Sequence, residues 1–76
     1  VDYYQVIVPE NMVGKKVKDL ELKPGEAILA SITRSGRSFI PSMDDELEEN
    51  DHLNFSATHT GIESLRKKLM NREQEV

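Results

Sequence analysis

The chain has 76 residues, no cysteine, and 14 acidic against 10 basic side chains, for a net charge of −4. That length fits one small domain, which buries only roughly 60% of the surface its unfolded form exposes. The composition excludes disulfides, thiolate zinc sites and cysteine nucleophiles, argues against non-specific binding of DNA or RNA, and offers no apolar run near the ~20 residues of a membrane span. A thin core without staples leans on a partner subunit or on the rest of a longer chain. With Val1 in place of a starting Met, the sequence reads as a piece of something larger.

Tyr3 to Val8 (YYQVIV) is β-branched and aromatic and stops at Pro9, which predicts a strand. Tyr4, Val6 and Val8 share one face and Tyr3, Gln5 and Ile7 the other; neither is strongly polar, so both are expected to be partly covered. From Asn11 to Leu22 the period changes. Val13, Val17 and Leu20 recur at helical spacing, with Lys15, Lys16, Lys18 and Asp19 opposite, and Lys23-Pro24-Gly25 ends the short helix this predicts. Glu26 to Thr33 (EAILASIT) reads as a second strand with Ile28, Ala30 and Ile32 on one face. Ser35-Gly36, flanked by Arg34 and Arg37, predicts a hairpin turn, and Ser38-Phe39-Ile40-Pro41 its second arm.

Ser42 to Asp51 is an acidic connector whose apolar members are Met43 and Leu47. Leu53, Phe55, Ala57 and His59 then alternate with His52, Asn54, Ser56 and Thr58, the pattern of a half-buried strand. Thr60-Gly61-Ile62-Glu63 has capping-box spacing and opens a helix with the stripe Ile62, Leu65, Leu69. Arg66, Lys67, Lys68 and Arg72 fall in its later turns, where cations suit the helix dipole. From Asn71 on the sequence is polar and is expected to fray. The order is β-α-β-β-β-α, an α+β domain with a mostly antiparallel four-stranded sheet and two short helices on one side.

Nothing in this pattern supports catalysis. His52 and His59 are too far apart for a helical metal pair and lie on opposite faces by strand parity. The acidic run Asp44, Asp45, Glu46, Glu48, Glu49, Asp51 lacks the glycine a calcium loop needs and reads as a solvated loop. Ser31, Ser35, Ser38 and Ser42 have no G-x-S-x-G context, and there is neither a P-loop nor a G-x-G-x-x-G. The chain is therefore not read as an enzyme. Arg34 and Arg37 either clamp an anion, since guanidinium matches phosphate bidentately, or are exposed turn charges.

Taken in order, the landmarks resemble the TrkA-C (RCK-C) domain. That domain is the C-terminal regulatory module of potassium uptake and channel subunits, found also in some antiporters, anion permeases and transcription regulators. The matching positions are Val13, Gly14, Lys15, Val17 and Leu20; Ile32, Arg34 and Gly36; Phe39, Ile40 and Pro41; and Asp44, Leu47, Asp51 and Leu53. The resemblance implies that Asp44, Leu47 and Asp51 are landmarks of the fold rather than metal ligands, and that Arg34 and Gly36 are hairpin signature. It also implies a homodimer, an adjoining Rossmann-type nucleotide-binding domain or membrane transporter as partner, and a cytoplasmic position peripheral to the inner face of the membrane. No direct nucleic-acid contact and no membrane insertion are expected.

Family members that bind cyclic di-AMP at the dimer interface resemble one another in an Arg after the first helix, an Asn-Ile pair early in the second strand, and the Pro after the third. Here Lys23 stands near the Arg, Ile28-Leu29 replaces Asn-Ile, and Pro41 is retained. Lys meets a phosphate without the bidentate fork, and the missing Asn removes an amide that reads a base edge. Cyclic di-AMP, another small anionic ligand, or no ligand therefore stay open, with cyclic di-AMP not the favoured one. A ligand would be expected near Lys23, Leu29, Arg34, Ile40 and Pro41, where apolar platforms meet positive charge; the alternative is that Leu29 and Ile40 are core and Arg34 a turn charge. Two functions compete: a ligand-sensing and dimerisation domain of a potassium transport system, and a ligand-free assembly module of a transporter or transcription regulator.

Overall fold

The computed structural model describes residues 1–74, with side chains through Leu69. Four strands, β1 (Asp2–Ile7), β2 (Ala27–Arg34), β3 (Arg37–Phe39) and β4 (His52–Ala57), make one antiparallel sheet in the order β1-β4-β2-β3, and the helix α1 (His59–Gln74) follows. The α+β class is the one expected. β4 and β2 are the interior strands, and β4 alternates most cleanly: Leu53, Phe55 and Ala57 are buried, while His52, Asn54 and Ser56 are half-buried on the opposite face. Leu53 and Phe55 pack with Ile32, Leu20, Leu47, Val17, Leu65 and Leu69 into a single core on the α1 side.

The segment Asn11–Leu22 is not an α-helix. Two 3₁₀ turns, Glu10–Met12 and Val17–Leu20, flank an extended stretch. Gly14 sits at φ 88°, a left-handed conformation that interrupts any helix. The backbone donors that a helix would use internally go elsewhere: Gly14 N–H to the Leu47 carbonyl (2.7 Å), Val17 N–H to Asp45 (2.9 Å) and Lys18 N–H to Met43 (3.0 Å), with Leu47 N–H returning to Lys15 (2.7 Å). The acidic connector is thereby bonded along its length to residues 14–18. Val17 and Leu20 are buried as the periodicity requires, but Val13 is exposed.

β2 carries a register shift between Leu29 and Ser31 where it pairs with β4. The extra residue, Ala30, reverses the parity of everything after it. Ile28 therefore lies on the open face, 59% exposed, while Ile32 is fully buried, and the expectation that the two share a face fails for that reason. β1 likewise turns Tyr3 and Ile7 outward, at 86% and 55% exposure. Across the open face runs a polar ladder: Gln5 Nε2 donates to Asn54 Oδ1 (2.6 Å), Asn54 Nδ2 donates to Ser31 Oγ (3.0 Å) and Thr33 Oγ1 (3.1 Å), and Thr33 and Ser38 share a hydroxyl bond (2.7 Å).

β4 ends at Ala57, so His59 belongs to the first turn of α1 and not to the strand. The helix is capped by Thr58, whose Oγ1 accepts the Gly61 N–H at 3.0 Å. The Thr60–Glu63 capping box does not form; Glu63 pairs instead with His59, 3.3 Å away and one turn back. Ile62, Leu65 and Leu69 face the core as the stripe predicts. The helix continues through Gln74, past the expected onset of fraying at Asn71. Glu75 and Val76 lie outside the described residues.

Candidate functional site

Arg34 ends β2 at a two-residue turn in which Ser35 and Gly36 both take positive φ, 53° and 79°, the backbone twist that closes a tight hairpin. Its guanidinium stacks over the Phe39 ring at 5.1 Å. Nε and Nη2 donate to the two oxygens of Asp51 at 2.8 and 2.7 Å, Nη2 also reaches the Glu46 carbonyl at 3.1 Å, and Nη1 lies 3.2 Å from the Glu48 carboxylate. Asp51 is fully buried and accepts a further hydrogen bond from the Glu48 N–H at 2.9 Å. Burial pushes the Asp51 carboxyl up, but the Arg34 hydrogen bonds, the Glu48 N–H and the Arg34 charge together outweigh it, and the group is held below its ordinary value. The hydrogen bond to Asp51 raises Arg34 in turn. Of the two sequence readings for Arg34, anion clamp or exposed turn charge, the geometry gives neither. Arg34 is the internal fastener between the hairpin and the connector.

One copy of the chain does not gather the five expected site residues. Lys23 precedes β2 and Arg34 ends it, and the eight residues of that strand keep the two on the order of 20 Å apart at ~3.3 Å per residue. Leu29 is half-buried against the core beside Phe55. Ile40 is 86% exposed just after β3, with Pro41 half-buried next to it. Among the described residues no group of His, Asp and Glu is placed to hold a metal ion, and Asp44 instead faces Lys18 at 3.5 Å on the surface.

Lys23 opens onto a cleft of about 470 Å³ between the Leu22–Ala27 loop and α1, lined also by Ser64, Leu65, Lys67 and Lys68. Lys67 and Lys68, whose place in the later turns suits the helix dipole, here stand beside an apolar platform, because Leu22 and Ala27 meet Leu65 from the helix. Only the tertiary approach of two segments some 40 residues apart creates this juxtaposition, and no local pattern signals it.

A four-stranded antiparallel sheet with one helix, its hairpin fastened to an acidic connector, defines a small α+β module. The TrkA-C domain family matches residues 3–70, and the chain belongs to that family, which is regulatory rather than catalytic. Solved structures share the fold. The GsuK channel matches with a TM-score of 0.78 at 19% identity over 93% of this chain, which spans only 14% of the channel chain. The C domain of the potassium transport protein KtrA, a regulator of conductance of K⁺ solved in complex with cyclic di-AMP, matches at 0.76 and 20% identity, over 87% of this chain and 80% of that one. The RCK_C domain dimer of S. agalactiae BusR, in complex with the same dinucleotide, matches at 0.69 and 23% identity, over 93% of this chain and 97% of that one.

Proposed function

We propose that the chain is the ligand-sensing and dimerisation domain of a potassium or other cation transport system, acting on the cytoplasmic side of a membrane partner or beside a Rossmann-type nucleotide-binding domain. The observation that carries this reading is the family match over residues 3–70, supported by a fold shared with the KtrA domain. The mechanism is a population shift: a ligand between two copies favours one dimer geometry, and that geometry is passed to the partner. The interface would bring together what one copy keeps apart. The exposed Ile40 and its neighbour Pro41 offer flat apolar contact, Lys23 offers charge, and Leu29 and the anchored Arg34 hold the strand that links them. The ligand is cyclic di-AMP or another small anion.

A second reading, an assembly module without a ligand, is favoured by a specific observation: Arg34 is engaged internally by Asp51, which leaves fewer cations for an anion. Sedimentation combined with thermal shift separates the two. Sensing requires a dimer at tens of micromolar and a melting temperature that rises with a nucleotide, because a ligand selective for the folded state stabilises it. Ile40→Arg should abolish the dimer and any rise in melting temperature that cyclic di-AMP gives. A dimer whose melting point no nucleotide in a panel moves would establish the assembly reading, and a monomer would sink both.

A further inference from the structure

We propose that the cleft between the Leu22–Ala27 loop and α1 binds a small diphosphate-bearing molecule, held between Lys23 and Lys67. The site is separate from the interface suggested by Ile40 and Pro41 and shares with it only Lys23. Its volume, about 470 Å³, lies in the range of small-molecule pockets, and its composition, an apolar floor with a few convergent polar groups, is what such pockets use to orient a ligand. Leu22, Ala27 and Leu65 make the floor; Ser64, Lys23, Lys67 and Lys68 supply the donors.

The walls are fixed before any ligand arrives. Lys68 Nζ donates to the carbonyls of Leu20 (2.6 Å) and Glu21 (2.8 Å), bonding α1 to the end of the second 3₁₀ turn, just before the loop, while leaving its third N–H unspent. The Lys23 carbonyl accepts the Glu26 and Ala27 N–H groups at 3.0 and 3.3 Å, and the Glu26 carbonyl accepts the Thr58 N–H at 2.9 Å. The first two of these bonds fix the loop's own shape, and the loop cannot move from the helix start without breaking the Glu26–Thr58 bond. Lys23 and Lys67 have no ion pair among the described residues.

The sign of the lining selects the ligand. Three lysines against the single carboxylate of Glu26 make a cationic recess on a chain of net charge −4, so an anion is drawn here and a metal ion is not. Lysines are point charges without a planar fork, which suits tetrahedral phosphate more than flat carboxylate recognition. Cations on both walls call for two charged groups in one ligand, hence a diphosphate. The Ser64 hydroxyl adds a neutral donor on the helix side.

The test is calorimetric titration of the 76-residue chain with pyrophosphate and with ADP at fixed ionic strength, beside Lys67→Glu and Ile40→Arg. Lys67 is exposed, so its replacement leaves the fold intact, which far-UV circular dichroism checks. The expected result is saturable binding that Lys67→Glu weakens about tenfold or more, as the loss of one charge-assisted bond requires, that Lys67→Arg retains, and that falls with added salt. Ile40→Arg should leave it unchanged. Absence of saturable binding at millimolar pyrophosphate and ADP overturns the proposal. So does a Lys67→Glu chain that binds as tightly as the parent; if Ile40→Arg abolishes that binding, the ligand sits at the interface instead.

Discussion

Arg34 and Asp51, 17 positions apart, meet through two parallel hydrogen bonds of 2.8 and 2.7 Å, and Asp51 has no contact with solvent. The pair ties the β2–β3 hairpin to the end of the connector, one residue before β4. The Asp51 backbone carbonyl at the same time accepts the Val8 N–H at 2.9 Å, so three parts of the chain converge on one residue.

Asp51→Ala should therefore cost about 3 kcal/mol, since removing one partner of a buried pair strands the other. The carboxyl is held below its ordinary ~3.9. Its contribution is complete above about pH 5 and is lost as the pH falls through the depressed folded value. Urea unfolding of parent and Asp51→Asn across pH 2 to 6 checks this: the stability difference should shrink toward the acid end and stay flat above pH 5. A difference that does not depend on pH would mean that the carboxylate is not the contributing group.

Gly61→Ala should be strongly destabilising. A Cβ on Gly61 would stand 2.1 Å from the Glu26 carbonyl oxygen and 2.8 Å from its carbon. Backbone cannot yield as a side chain does, and overpacking of this kind costs ~1–3 kcal/mol, more than the gain of up to ~1 kcal/mol that alanine brings to a helix. Hydrogen exchange should report the loss first at Thr58 and Ala27. A stabilised Gly61→Ala protein would place α1 further from β2.

The helix start offers a paired comparison. Thr58→Ala removes the oxygen that caps Gly61 N–H and should cost ~1 kcal/mol. Thr60→Ala, which the capping-box spacing marks as the sensitive change, should leave the melting temperature nearly untouched. Equal losses in the two variants would restore Thr60 as the cap.

The strands and the α1 stripe were legible because they rest on local period: Leu53-Phe55-Ala57 and Ile62-Leu65-Leu69 bury the residues that the pattern nominates. The failures are places where a distant partner overrides the period. Asn11–Leu22 has helical spacing, but its N–H groups bond to the connector. Ile28, Ala30 and Ile32 alternate on paper, and one bulge against β4 divides them. Asp51 and Arg34 were each legible through family resemblance as landmarks of the fold, but their pairing was not, because nothing local links residues separated by a hairpin and a connector. Of the expected site, Lys23 and Ile40 are exposed and Leu29 and Pro41 half-buried. The internal role of Arg34 and the cleft beside Lys67 needed the tertiary structure.

The hairpin turn itself can be improved. Ser35 is held at φ 53°, where an L-residue bears a cost of roughly 1–2 kcal/mol, and Asn tolerates that region better than Ser. Ser35→Asn should raise stability by about 0.5 kcal/mol. Ser35→Gly should gain less, because relief of the turn is partly offset by a freer unfolded chain. Gly36 has open space around it, so Gly36→Ala suffers from its φ of 79° alone and should lose about 1 kcal/mol. Ser35→Val should lose most, since a β-branched residue resists positive φ and a distorted turn would pull Arg34 off Asp51. Urea midpoints at constant m-value measure the order: Asn above Gly, parent next, then the Gly36 variant, with Val lowest. If Ser35→Asn does not move the midpoint, or lowers it, the turn is not the two-residue positive-φ type and the anchoring of Arg34 does not depend on it.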